Sequence, residues 1–588
     1  MGKRWRIQAH DAERILALER SAGISAIVAQ LLVSRGFTDV SQVESFLDPK
    51  LTGLRDPEEL PGVTVAAGLI HDAIAAKRRI VVYGDYDADG MTGASILLGC
   101  LRMLGAEVRC YVPNRLEEGY GLNDQALATL VAEGTQMVIS VDCGIASVRE
   151  AETAKQNGIE LIITDHHQFG ETLPDAAALV HPALPGTTYP FSGLCGAGVA
   201  FKLAWALCCR ASDSKKVSPR MRSFLLTAIG LAAIGTVADV VPLVDENRIL
   251  VRHGLKSLKE SPPIGVRALM RVTKLEAKPS LSSEDIAFSL APRLNAAGRL
   301  GQAQLGIELL TTDSNERARD LADFLTELNG RRDTLERSVY LAANTQIKER
   351  FDRANNAAFV LAGSGWHAGV IGIVAGRLAE KYHRPVVLIA LDELGAKPGS
   401  GSGRSACGLD LHSAFARCDE YLVSHGGHAA AAGLKIDERR VDGFRAAFCE
   451  YAAAAISDED LIAEVRIDAE AAFSQLTLQS VQQVEQMSPF GACNPRPVLC
   501  ATAVTKASPP RFLGSGERHL SVELTQHGVK LRAVAFGKGD WLEDLTATDG
   551  AIDVAYRPVI NEFRGRRTVE MHLVDWRPTA GSATADSP

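Results

Sequence analysis

At 588 residues the chain has room for three or four domains of about 150 residues each. Its 46% apolar and 23% charged residues are those of a globular protein and exclude a disordered one. A formal charge of −8, from 63 basic and 71 acidic side chains, excludes a histone-like polycation but not a local basic groove or a carboxylate-rich metal site.

Residues 1 to 55 read as short helices that end near Asp48-Pro49 and Asp56-Pro57. Short apolar runs then alternate with helical segments. Ile80–Tyr83, Val108–Val112, Met137–Val141 and Leu161–Ile163 are β-rich, with helix-like stretches at Thr92–Leu104 and Ser147–Asn157. Such alternation predicts a parallel sheet covered by helices on both faces, hence an α/β fold class. Further on, Leu321, Leu325, Leu328, Leu335, Val339 and Ala342 keep a 4-3 spacing broken only by Arg332. The spacing predicts a helix over Asn315–Arg350, about 50 Å long and joining two lobes; the alternative is two helices broken at Gly330. A second α/β lobe follows from Ala357 to about Ala455. Alternating strands at Leu520–Leu524, Val529–Phe536, Ile552–Tyr556 and Val569–Val574 then predict a small β-barrel.

Eleven cysteines without a Cys-x-x-Cys pair suit reduced thiols in a cytosol, and no secretory signal opens the chain. The most apolar run, Phe224–Ala238, is about 15 residues, against the ~20 that span a bilayer. A soluble, cytoplasmic protein is the expectation.

The chemistry concentrates at Gly84-Asp-Tyr-Asp-Ala-Asp-Gly90, directly after an apolar strand. Three carboxylates in five residues repel one another unless cations or protons offset them. An EF-hand loop fails, because its twelfth position would be Ile96 instead of a bidentate Glu and a strand precedes it. What survives is a divalent-metal site at the carboxyl end of a strand. Other ends add matching groups: Asp142 after Val138–Val141, Asp165-His166-His167 after Leu161–Ile163, and Asp239 after the apolar run ending at Ala238. Carboxylates with imidazoles suit Mn²⁺ or Mg²⁺ better than a structural zinc. Two such ions can clamp an in-line phosphoryl displacement, so the set points to phosphoester hydrolysis. Gly401-Ser-Gly-Arg-Ser405 reads as a phosphate-binding loop or an ordinary surface turn. Phe563 with Arg564-Gly-Arg-Arg567 reads as a single-strand-binding groove or a solvated hairpin tip.

Tyr83–Gly90, Val141-Asp-Cys-Gly144, Asp165-His-His167 and Val237-Ala-Asp239 resemble, in order, the motifs of the DHH phosphoesterases. The chain is most similar to the single-strand-specific DNA exonucleases of that family. The likeness runs from about residue 60 to 577 and includes Arg293–Arg299, Gly365–Gly372, Gly401–Ser405, Gly426–His428 and Pro489–Pro495. The resemblance implies an N-terminal helical segment (1–55), a DHH catalytic domain (56–270), a connector with a long helix (271–353) and a DHH-associated domain (354–457). An OB-fold nucleic-acid-binding domain (458–578) and a disordered tail (579–588) would follow. It also implies two Mn²⁺ or Mg²⁺ ions held by Asp85, Asp87, Asp142, His166 and Asp239, with Asp142 bridging. His167 would face the scissile phosphate or leaving oxygen and Asp165 would orient a neighbouring imidazole. Asp89 is either a further ligand or a cap of the following helix. Some relatives carry a His two residues before the first Asp, where this chain has Tyr83. Arg115, Arg299, Ser402 and Arg404 would hold a 5′-phosphate, with Tyr120 stacking on a base. The implied activity is 5′-to-3′ degradation of single-stranded DNA to 5′-mononucleotides in recombination and repair. A monomer that works with a repair helicase and a single-strand-binding protein, away from membranes, is expected. Alternatives are an oligonucleotide or cyclic-dinucleotide phosphodiesterase and a non-catalytic replication scaffold of the same family.

Overall fold

The computed structural model describes residues 3–114, 121–352, 356–514 and 516–579. Arg115, Tyr120 and the tail from 580 lie outside the described residues. The described chain falls into two compact units. One joins residues up to Lys50 with Ile462–Phe490 and Asn494 onward, and the other comprises Leu51–Leu461 with Gly491–Cys493.

The chain opens on β1 (Arg4–Ile7), and three helices between Ala12 and Leu47 follow. The second unit begins with a five-stranded, all-parallel sheet of β2 (Ile80–Gly84), β3 (Val108–Tyr111), β4 (Met137–Val141), β5 (Glu160–Thr164) and β6 (Ala178–Val180), in the order β3-β2-β4-β5-β6. β2 and β4 are buried along their whole length, because helices cover both faces and leave no polar side to alternate with. Three-residue β6 carries too short an apolar run to be recognised in the sequence.

One expectation is corrected. The run that delivers Asp239 is no strand end but the last turns of a 20-residue helix, Pro219–Ala238. By length and composition this helix could cross a membrane. Its half from Ala228 to Val237 is buried in the core beside helices Ala88–Met103 and Asp245–Glu260. That enclosed half is apolar all round, which erases the 3.6-residue period that would have revealed a helix there.

The long helix spans Asn315–Arg350 without a break at Gly330, 36 residues or about 54 Å. Its first half gives Leu321, Ala322, Leu325 and Leu328 to the core around the parallel sheet. Its second half gives Val339, Ala343 and Ile347 to another core. Between the two the buried stripe changes phase, so Ala342 is exposed and Ala343 takes its place.

That second core belongs to a mixed sheet of β7 (Phe359–Ser364), β8 (Val386–Leu391), β9 (Gly399–Arg404), β10 (Leu422–Gly427) and β11 (Ala431–Ile436), ordered β10-β11-β9-β8-β7. Here too a reading changes. The Gly-Ser-Gly-Arg segment is neither loop nor surface turn but the central strand β9, paired on both sides.

The first unit holds β12 (Glu464–Ile467), which pairs in parallel with β1, and β13 (Ala469–Glu470). β14 (Leu499–Lys506), β15 (Arg511–Leu513), β16 (His519–Gln526), β17 (Val529–Ala535), β18 (Ile552–Phe563) and β19 (Arg566–Pro578) complete it. β14 pairs with β18 and, through Thr505 and Lys506, with β16, so the ladder β14-β18-β19-β17-β16 returns on itself. Ile15, Leu31, Leu32 and Phe46 from the N-terminal helices share its core with Leu499, Val522, Tyr556 and Met571.

Candidate metal centre

The parallel ladder continues one residue past each strand. The Asp85 N–H donates to the Val141 carbonyl (3.2 Å), that of Asp142 to Thr164 (2.9 Å) and that of Asp165 to Val180 (3.1 Å). Three motifs far apart in sequence therefore stand in one row along the carboxyl edge of the sheet, one strand spacing (about 4.8 Å) from each other. Asp142 turns into the site with φ +65°, a left-handed conformation that an Asp adopts more easily than most residues and that marks functional turns. Asp239 joins the row from the end of its helix.

The side chains converge. Asp85, Asp87 and Asp142 offer ligand atoms within 4.8 Å of one another, and so do Asp142, His166 and His167, and Asp89, His166 and Asp239. Asp142 belongs to two of these groups and His166 to two, which is the connectivity of a paired-cation site. His166 Nε2 lies 3.0 Å from Asp142 Oδ1, 3.5 Å from Asp239 Oδ2 and 3.8 Å from Asp89 Oδ2. It is buried and makes no hydrogen bond. A buried imidazole nitrogen that faces three carboxylates and bonds to none has the chemistry of a cation ligand.

Titration behaviour agrees. Burial, followed by the charges of Asp89, Asp87, Asp85 and Asp239, holds the Asp142 carboxyl well above the usual range. Burial, then Asp89 and Asp87, pushes Asp239 up to about 8. Burial raises Asp87 as well and lowers His166. So many acids in one apolar pocket can ionise together only if positive charge enters with them.

Asp165 stands behind this group. Its Oδ1 accepts from the backbone N–H of His166 (2.7 Å) and His167 (3.1 Å) and lies 2.8 Å from His167 Nδ1. Its Oδ2 accepts from Ile145 N–H (2.9 Å). Burial alone would lower the His167 pKa, but the Asp165 hydrogen bond and charge raise it to about 9. The reciprocal pull holds Asp165 low despite its burial. With Nδ1 at Asp165, the His167 ring is held through that nitrogen, and its side chain is 40% exposed.

Of the two parts expected of Asp89, the cap of the following helix falls to its neighbour, while the Asp89 carboxylate stays in a ligand group with His166 and Asp239. Asp87, not Asp89, caps helix Ala88–Met103, accepting from the Asp89 and Gly90 N–H groups. Asp89 reaches across to the N-terminus of helix Gly196–Ala211 and accepts from Gly196 (2.7 Å) and Ala197 (2.9 Å). Tyr83 is fully buried, donates to the Gly121 carbonyl (2.9 Å) and accepts from Asn123 (3.2 Å), so it belongs to the core and not to the cage. Sequence alone assigns no role to two further supports, although Asn295 lies in the Arg293–Arg299 segment that carries part of the resemblance. His181 contacts the His167 carbonyl through Nε2 (2.9 Å), and Asn295 accepts from Ala88 N–H at the acidic loop (2.8 Å).

Asn295 also ties the loop to a second constellation. It lies on helix Ala291–Arg299, which comes so close to the loop that a Cβ on Gly298 would stand 1.9 Å from the Tyr86 carbonyl. Arg299 ends this helix and donates to the Gly369 carbonyl (3.0 Å), in the first turn of helix Ala368–Tyr382. One turn on, a Cβ on Gly372 would meet both Arg404 Nη2 and Ser402 Oγ at 3.0 Å. Arg404 in turn donates to Ser402 Oγ (3.0 Å). Arg299, Ser402 and Arg404 are thus brought against the first turns of one helix; Arg115 and Tyr120 are outside the described residues.

Three family models match the chain: the DHH family N-terminal domain over residues 79–231, the DHHA1 domain over 355–454 and the RecJ OB domain over 467–575. The single-stranded-DNA-specific exonuclease RecJ of Bacillus subtilis is 36% identical over 575 residues, 97% of this chain and 70% of that protein. RecJ of Escherichia coli is 34% identical over 565 residues, 94% of this chain and 95% of that protein. Among solved structures, Mn²⁺-bound RecJ of Thermus thermophilus matches with a TM-score of 0.82 and 32% identity, over 98% of this chain and 79% of that one. The chain belongs to the RecJ family, within the larger DHH family.

Proposed function

We infer that this chain is a metal-dependent exonuclease that degrades single-stranded DNA from the 5′ end to 5′-mononucleotides, in recombination and repair. The observation that carries the reading is the cage of Asp85, Asp87, Asp142, His166 and Asp239, with Asp142 in two adjacent ligand groups. Two divalent cations, Mn²⁺ or Mg²⁺, would supply an activated water and charge for the leaving oxygen. The chain's own residues do the rest. Asp142, shared by two ligand groups, would help hold both cations, and Asp165 holds His167 by Nδ1, which would leave its other nitrogen for the scissile phosphate or leaving oxygen. Arg299, Ser402 and Arg404 at the start of helix Ala368–Tyr382 suit a terminal 5′-phosphate, since a helix N-terminus and guanidinium groups favour dianions. Arg115 and Tyr120 complete that pocket in this reading.

The RecJ OB domain match favours a long strand over a cyclic dinucleotide, and the full acid set opposes a dead scaffold. Its hairpin tip, with exposed Phe563 under Arg564 (5.2 Å) beside Arg566 and Arg567, suits base stacking and phosphate contact. Because only single strands are attacked, a repair helicase and a single-strand-binding protein are the partners we propose, for a monomer in the cytoplasm.

Digestion of 5′- and 3′-labelled strands, single and double, in Mn²⁺ and Mg²⁺ tests this. Mononucleotides should leave the 5′ end of single strands alone. Asp142→Ala should abolish cleavage while the labelled strand still binds; release from the 3′ end, or normal digestion by the variant, would refute the assignment.

A further inference from the structure

Val240 follows Asp239, the ligand delivered by helix Pro219–Ala238. Its φ is +60°, and it is the one β-branched residue with positive φ among the described residues. A helix that closes in the left-handed region normally places Gly there, because a branched Cβ collides with its own backbone. The turn itself serves the site: Asp239 N–H still donates to Gly235 (2.9 Å) and Val240 N–H to Val237 (3.4 Å), so the chain leaves the helix at once and holds the Asp239 carboxylate 3.5 Å from His166. Glycine would make the same turn without strain. The isopropyl group does not repay that strain by packing, since Val240 is 70% exposed. Val240 directly follows Asp239, whose own side chain is 24% exposed and reaches to 3.5 Å from His166.

A strained backbone conformation held by an exposed, apolar residue one position from a ligand of the cage is an outlier of the kind that marks a functional contact. We propose that Val240 is a substrate-positioning residue that packs on the sugar–base face of the nucleotide being released and fixes its phosphate over the metal cage. This rests on the exonuclease reading above and adds to it a contact that reads the nucleoside and not the phosphate.

Steady-state digestion of a 5′-phosphorylated single strand, Mn²⁺ titration and thermal melting of the full chain test the proposal with two variants. Val240→Gly should lower kcat/KM about tenfold, the loss of most of one buried isopropyl contact. Its melting temperature should not fall, and its Mn²⁺ affinity should match the unsubstituted protein. Val240→Ile, which keeps an apolar branched group, should retain kcat/KM within about twofold. Undiminished kcat/KM in Val240→Gly would overturn the proposal, and so would a fall in Mn²⁺ affinity parallel to the fall in activity, because the turn would then serve the metal alone. Failure of the unsubstituted protein to digest the strand would instead strike the exonuclease reading.

Discussion

At the scale of single residues, Asp165 shows how a carboxylate can matter without holding metal. It accepts two backbone N–H groups from the very residues it orients, then the imidazole of His167. Asp165→Asn keeps the size but exchanges an acceptor for an amide, so His167 loses the charge that fixes its tautomer. Activity should fall about 10- to 100-fold, with Mn²⁺ affinity much less affected, as steady-state rates beside metal titrations will show. A loss of metal affinity equal to the loss of rate would place Asp165 among the ligands. Sequence spacing exposed this residue because Asp-His-His stands directly after an apolar strand. What it could not settle was which of three neighbouring acids caps which helix. Asp87 and Asp89 are two residues apart, and only the fold reveals that Asp89 serves a helix more than a hundred residues away.

Among the elements, the connecting helix and the acidic-loop helix test opposite properties of glycine. Gly330 lies mid-helix with open space where a Cβ would go. Gly330→Ala should therefore stabilise the protein by about 0.5–1 kcal/mol, with digestion unchanged, because Ala loses less backbone entropy in a helix. Gly298→Ala should act the other way. Its Cβ would collide with the Tyr86 carbonyl, forcing helix Ala291–Arg299 off the acidic loop at a cost of about 1–3 kcal/mol. Denaturant unfolding and rates on the two variants will show it, and a silent Gly298→Ala would mean the loop can yield. The long helix was readable because its polar outer face preserves the period of its apolar stripe. The half of helix Pro219–Ala238 that leads to Asp239 was not, since its enclosure removes the polar face, and β9 was not, since Gly401 and Gly403 lie where a larger side chain would strike Leu434 and Phe415. Glycine there reports tight packing within a sheet, whereas in sequence it signals a turn.

For the molecule as a whole, the cage couples folding to protons and to metal. In the metal-free protein Asp239 titrates near 8, against 3.8 when unfolded, and Asp142 and Asp87 shift in the same direction. A carboxyl whose folded pKa is raised binds more protons folded than unfolded, so its contribution is complete below about 4 and fades as pH climbs toward 8. His167, raised from 6.5 to about 9, adds a loss of the same sign above pH 6.5. His166, lowered by burial, opposes them only at or below its ordinary value. Stability without metal should thus decline between pH 6 and 8. Cations reverse this, because they must displace the same protons: apparent Mn²⁺ affinity should rise about tenfold per pH unit for each proton released. At Mn²⁺ a hundredfold above its Kd the gain is about 2.7 kcal/mol, so the melting temperature should climb more on Mn²⁺ addition at pH 8 than at pH 6. Calorimetry on chelator-treated protein, with and without Mn²⁺ at both pH values, measures the two slopes. An equal Mn²⁺ shift at both would mean that the acids are already ionised without cations, and the burial that brings them together would then have to be offset by some other positive charge.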